Sequence, residues 1–231
     1  MAEGYARPEM LAGTDWLAEH MDDPHVRIVD CGPPEAYARA HIPGAVALPV
    51  HHYLKGSDNV HTMDSNAFAE AMGRLGIGDD ALVVGYDENG GNWGARLWWA
   101  LRYYGHDNAR VLNGGWDTWL VEGRRLSRAV TLPHPATFTP RTRPDGLARL
   151  DDVRACIHQP GAVVLDVRSP DEYIGQERRT NKRAGHIPGA INIEWSRALT
   201  DDERRTWRPA AELRALYEAG GVTPDRDIIV H

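Results

Sequence analysis

The stretch Val26–Pro49, "VRIVDCGPPEAYARAHIPGAVALP", returns later in the chain as Ala162–Glu194, "AVVLDVRSPDEYIGQERRTNKRAGHIPGAINIE". Each copy opens with a β-branched run that ends in Asp, at Asp30 and Asp166. A Pro-acid turn and a Tyr follow, at Tyr37 and Tyr173. Both then reach His-Ile-Pro-Gly-Ala, His41–Ala45 and His186–Ala190. The offset is 136 at the Asp pair and 145 at the His pair, so the second copy carries nine extra residues between Tyr and His. Beyond the turn, "LGIGDDALVVGYD" matches "GGVTPDRDIIVH", pairing Gly76 with Gly221 and Tyr86 with His231. A repeat this long predicts two homologous domains.

The pattern within one copy sets the fold class. Strands are expected at Arg27–Asp30, Ala45–Leu48, Ala81–Tyr86 and Arg110–Leu112. Helices are expected at Trp16–Met21, Asn66–Leu75, Trp93–Tyr104 and Gly115–Glu122. Strands alternating with helices of about 10 residues predict an α/β fold with a parallel sheet covered on both faces. "TLPHPATFTPRTRPDG", Thr131–Gly146, is rich in Pro and Thr, has no period, and predicts an extended linker. The expected division is residues 1–128, a linker at 129–148, and residues 149–231.

Composition narrows the function. The 231 residues are 42% hydrophobic, enough for real cores, and the net charge of −7 argues against a general binder of nucleic acid or anionic membrane. No apolar run approaches the ~18 residues of a membrane helix. "MAEGYARPEM" lacks the basic-then-apolar order of a secretory signal. Two distant cysteines, Cys31 and Cys156, make neither a disulfide framework nor a zinc cluster, and they suit a reducing cytoplasm. The closest histidine pair, His51-His52, would point to opposite faces of a strand, so no metal is expected there.

Three motifs bear on chemistry. Ile-Pro-Gly-Ala fits a type II turn, with Pro setting φ at the second position and Gly supplying φ > 0 at the third. His41 and His186 are expected to hold that turn rather than to catalyse, because both copies keep them. "YDENGGNWGARLWW", Tyr86–Trp99, joins a strand end to a helix, where ligands bind in parallel sheets. Its Gly90, Gly91 and Gly94 suit an anion nest at the helix N-terminus. Asp87 stands at the centre of that nest, as an internal anion that cannot carry sulfur. A phosphate loop is disfavoured by Asp87 and Glu88 and by the absence of a Gly-Lys-Ser/Thr sequence. Finally, the extra residues, within "GQERRTNKRAGH", carry Arg178, Arg179, Lys182 and Arg183.

The paired Asp…Tyr…Gly/Ala-His-Ile-Pro-Gly-Ala signature, the Asp87 loop, "ALRYYGHDNARVLNGGWDTWL" and the Pro-rich linker resemble the tandem rhodanese-domain sulfurtransferases, which act on thiosulfate or 3-mercaptopyruvate. The resemblance implies two rhodanese-like α/β domains, each a parallel central sheet flanked by helices. It implies a catalytically silent first domain, with Asp87 at the dead site, and a cysteine directly after the strand ending at His231. The expectation is therefore Cys at position 232, with the second domain incomplete in the chain and its catalytic residue outside it. The implied reaction takes sulfane sulfur from a small anionic donor to a thiol or cyanide through a cysteine persulfide, without cofactor or metal. Cys31 and Cys156 are not expected to be that nucleophile. The resemblance also implies that loop arginines grip the donor, Arg179 first and then Arg178 and Arg183. Glu172 falls where some mercaptopyruvate enzymes have Arg, which favours thiosulfate. Two other readings remain open: a non-catalytic rhodanese-like binding module or fragment, and a phosphatase on the same fold with a longer Cys loop.

Overall fold

The structure, a computed structural model, describes residues 4–50, 54–56, 62–157 and 159–231. His51 and His52 lie outside the described residues. The chain divides into two compact units. The first comprises Met1–Gly146 with Asp201–Thr206, the second Leu147–Thr200 with Trp207–His231.

The first unit runs β1 (Leu11–Ala12), α1 (Thr14–His20), β2 (Val26–Asp30), α2 (Pro34–Arg39), β3 (Val46–Ala47), α3 (Ser65–Arg74), β4 (Leu82–Tyr86), α4 (Asn92–Tyr103), β5 (Ala109–Leu112) and α5 (Gly115–Val121). Its sheet has the order β1-β5-β4-β2-β3, and every pairing is parallel. Strand β2 reads Val-Arg-Ile-Val-Asp and is buried at all but Arg27, as expected for a central strand covered on both faces. Ile28, Val84, Tyr86, Leu112 and Trp119 pack in one core cluster.

The second unit runs α6 (Leu150–Cys156), β6 (Ala162–Asp166), α7 (Pro170–Ile174), β7 (Ile191–Asn192), α8 (Ala210–Ala219) and β8 (Asp227–Val230). Its sheet has the order β7-β6-β8, again parallel. The repeat shows in the register: β2 pairs Val26 with Leu82, and β6 pairs Ala162 with Asp227. Alternation along β6 sends Val163 and Leu165 to one cluster with Ile193 and Val222. Val164 goes to the other face, against Cys156 and Ala190. Ile228 and Val230 on β8 are 42% and 63% exposed.

The segment 129–148 is not a free linker. It is extended, but as far as Gly146 it belongs with the first unit. Ala136 N–H donates to Gly73 O at 2.9 Å, Arg141 N–H to Tyr104 O at 2.7 Å, and Phe138 is buried edge-on to Phe68. Prolines keep this strand-like stretch extended, and its free donors and Phe138 find partners along the first unit.

The shared signature is a brace. In the first unit Ala45 N–H donates to Ile42 O at 3.0 Å, with Gly44 at φ 80°, which closes the type II turn. Tyr37 Oη–H donates to Ala45 O at 2.9 Å, and the His41 ring stacks on Tyr37 with centroids 3.8 Å apart. His41 Nδ1 reaches Tyr37 O at 2.8 Å. The second unit repeats every part: Ala190 N–H to Ile187 O at 2.9 Å, Tyr173 Oη–H to Ala190 O at 2.7 Å, and His186 Nδ1 to Tyr173 O at 2.7 Å. The histidines therefore tie helix to turn. Tyr173→Phe should lower the stability of the second unit by about 1 kcal/mol, the net worth of one such hydrogen bond, as read by thermal unfolding.

Candidate active site

In both units the carboxyl ends of the parallel strands form the face where a ligand would sit. The first unit's version is built around Asp87, directly after β4. Helix α4 packs against β4 through two glycines. A Cβ on Gly94 would lie 3.0 Å from Gly85 O, so only this pair allows the approach. Gly91, at φ 85°, makes the turn into α4. The helix N-terminus is thereby brought over Asp87. Asp87 Oδ1 accepts from Asn89 N–H at 2.6 Å and Gly91 N–H at 2.9 Å, and Oδ2 accepts from Gly94 N–H at 2.7 Å. The residue is 1% exposed. The nest is filled by the protein's own anion, which also satisfies orphan donors of α4.

A cleft of about 230 Å³ lies beside this loop, lined in part by Asp30, Tyr86, Arg39, Glu88 and Trp116. Asp30 is buried and accepts from Tyr86 Oη–H at 2.7 Å and Gly32 N–H at 2.9 Å. Burial raises its carboxyl above the usual range despite those bonds. Cys31 is 1% exposed. Burial, then the charges of Asp87 and Asp30, push its thiol well above the usual range. A thiol held protonated in this way is a poor nucleophile.

The second unit has different chemistry at the equivalent places. Asp166 corresponds to Asp30, but Arg168 stands in place of Gly32 and His231 in place of Tyr86. Arg168 grips Asp166 side-on, Nε to Oδ1 at 3.0 Å and Nη2 to Oδ2 at 2.5 Å, and also donates to Gly185 O at 3.0 Å. His231 Nδ1 lies 3.7 Å from Asp166 Oδ2. Burial opposes the charge on Asp166, but Arg168's hydrogen bonds and charge outweigh it and hold the carboxyl below its usual range. A Tyr–Asp hydrogen bond in one copy is an arginine-flanked aspartate in the other. Sequence reasoning missed Arg168; the Asp-x-Arg spacing was the available signal, since an Asp side chain readily accepts from the N–H two residues on, here at 3.0 Å, and so turns that residue back toward it.

The loop arginines do not gather. Arg178, Arg179 and Arg183 are all exposed. Among the described residues Arg179 alone of the three has carboxylate partners: its Nε lies 3.1 Å from Glu172 Oε2 and 3.4 Å from Glu177 Oε1. The loop is pinched at its base, where a Cβ on Gly175 would lie 3.1 Å from Gly185 N. Cys156 is buried on α6. Among the described residues no three His, Cys, Asp or Glu side chains form a metal-holding group, and no helix is long and apolar enough to cross a membrane.

Two parallel α/β units, with matching turns and loops at the same strand ends, define a tandem protein of one domain type. Residues 13–122 and 149–231 both match the rhodanese-like domain, and the chain belongs to the rhodanese family. It is similar to the sulfur carrier protein TtuD of Thermus thermophilus, 39% identical over 240 residues, covering 99% of this chain and 84% of that protein. It is similar to the thiosulfate sulfurtransferase of Corynebacterium glutamicum, 34% identical over 240 residues, covering 99% of this chain and 78% of the relative. The crystal structure of SseA from Escherichia coli, a 3-mercaptopyruvate sulfotransferase, matches with a TM-score of 0.83 at 30% identity, covering 96% of this chain and 87% of that one.

Proposed function

We propose that the protein transfers sulfane sulfur from a small anionic donor, thiosulfate in preference to 3-mercaptopyruvate, to a thiol or cyanide, and that it works in the cytoplasm. The observation that carries this reading is the contrast between the two strand-end faces. The first presents a nest already filled by Asp87. The second presents Arg168 and His231 around Asp166 and a loop rich in arginine. An anionic donor suits the second face. The names of the relatives support the same class of reaction.

The nucleophile that this reading requires is a cysteine at the counterpart of Asp87, the position after His231. Ringed by backbone N–H groups at a helix N-terminus, such a thiol ionises near neutrality. Its thiolate attacks the outer sulfur of thiosulfate. The S–S bond breaks, sulfite leaves with the electron pair, and a persulfide remains. The acceptor thiolate or cyanide then attacks the outer persulfide sulfur, and the cysteine leaves as thiolate. Neither step needs an added oxidant or reductant. Arg179, with Arg178 and Arg183 beside it in the loop, would hold the donor's charged end.

The test is to incubate the full-length protein with each donor and weigh it. Gain of one sulfur atom, lost again on adding cyanide with release of thiocyanate, is the expected result. No adduct with either donor would overturn the reading. In the same assay Arg179→Ala should raise KM for thiosulfate by roughly tenfold with little change in Tm, the scale of one charged contact.

A further inference from the structure

We infer that Glu172 is the positioning residue for Arg179: it holds the guanidinium by its inner nitrogen and presents the outer edge to the donor. The inference rests on the proposed role of Arg179 and adds a residue to it.

Glu172 is unusual in its surroundings. It is 6% exposed, whereas the neighbouring loop is at the surface. It occupies the first turn of α7, where Ser169 Oγ accepts from Glu172 N–H at 3.3 Å and lies 3.3 Å from Glu172 Oε2. The carboxylate is thus fixed from the helix side. On its other side stands Arg179, seven residues on, brought back by the loop. Arg179 has φ 45°, a left-handed backbone that non-glycine residues seldom adopt. Both carboxylates that approach Arg179 are nearest to Nε, and its side chain keeps 60% of its surface exposed.

Two roles for Glu172 are physically distinct. As a competitor it would bind Arg179 only until the donor arrived, and removing it would tighten donor binding. As a positioner it would stay bound throughout. Burial decides between them. A carboxylate 7% exposed at its side chain cannot lose its cation without a large penalty. Guanidinium also has a second, independent edge, formed by Nη1 and Nη2, that suits a tetrahedral or planar anion. Glu172 can therefore keep Nε while the donor takes the outer edge. A free arginine on an exposed loop would lose its rotamer freedom on binding, and an arginine already held loses less. The loop's other anchor, Gly185 O to Arg168, places its base beside Asp166 at the carboxyl end of β6.

The experiment pre-treats the full-length protein with thiosulfate and desalts it, so that no further sulfur transfer contributes heat. It then titrates the protein with thiosulfate by calorimetry without acceptor, in the wild type, Glu172→Gln, Arg179→Ala and the double variant. Gln retains the length and the capping contact with Ser169, so the fold should hold, and Tm checks this. Glu172→Gln should weaken thiosulfate binding roughly five- to tenfold, and should change nothing further when Arg179 is already Ala. Glu172→Asp, which keeps the charge but withdraws the carboxylate, should weaken it too. Tighter or unchanged binding in Glu172→Gln overturns the inference, as does an equal loss in the Arg179→Ala background. A protein that shows this coupling yet forms no persulfide would keep the inference and lose the sulfur-transfer reading. Wild-type protein that does not bind thiosulfate would remove both.

Discussion

Asp87→Ala should destabilise the first unit by roughly 3–6 kcal/mol and leave the sulfur-transfer rate within a few fold. The carboxylate is 1% exposed and accepts from three backbone N–H groups, of Asn89, Gly91 and Gly94. Truncation leaves two buried donors and one half-buried donor without a partner, at about 1–3 kcal/mol each, part of which a water in the vacated space recovers. Asp87→Asn should lose less, because its amide oxygen still accepts on one side. Urea unfolding followed by tryptophan fluorescence reads the stability, since six of the eight tryptophans lie between Trp16 and Trp119. The kinetic half follows from chemistry: a carboxylate cannot form a persulfide. A rate loss on the order of a hundredfold, about 2.7 kcal/mol, would show that this loop takes part in transfer.

Arg168→Met should destabilise the second unit by roughly 3–5 kcal/mol at neutral pH, the usual result of stripping one partner from a buried ion pair. Asp166 is fully buried, and the Arg168 side chain makes three hydrogen bonds to it. The pH dependence has a definite sign. Asp166 has a depressed folded value, so its contribution is present above the ordinary carboxylate range, near pH ~4, and is lost as pH falls through the folded value. In Arg168→Met burial is opposed only by the backbone N–H of residue 168 and by His231, and the gap to wild type should close as the solution is acidified. Asp30 runs the other way. Its raised value makes its contribution greatest below that range and progressively lost as pH rises through the folded value. Stability curves at several pH values, for each unit's transition, check both. A gap that widens on acidification would contradict the assignment of Arg168 as the cause.

Much of this was readable before any coordinates. The repeat placed both type II turns, and the hydrophobic runs placed β2, β4 and β5 within a residue or so of where they lie. What escaped has physical reasons. Strand β1 is two residues long and exists because β5 offers an edge, which no local pattern announces. Helix α2 is six residues that start at Pro34, too short for a period. The Pro-rich stretch looks unstructured because its partners, Gly73 and Tyr104, belong to distant elements. At the strand-end faces the nest was legible from Asp87 and three glycines. The pairing of Glu172 with Arg179 was not, because only a loop that doubles back can join a helix turn to a residue seven positions on. The resemblance ranked Arg179 first among the loop arginines, but neither its left-handed backbone nor its carboxylate partners could be read from the sequence.

The Tyr–His–turn brace has a consequence for how such chains are recognised. Its bonds run among Tyr37, His41 and Ala45 in a unit whose loop is plugged by Asp87, and among Tyr173, His186 and Ala190 in the other. The most conspicuous words in the sequence are thus masonry. Each unit has to keep them whatever chemistry its strand ends carry, because losing them would unmake the wall. A tally of His-Ile-Pro-Gly-Ala counts rooms and says nothing of what is done in them.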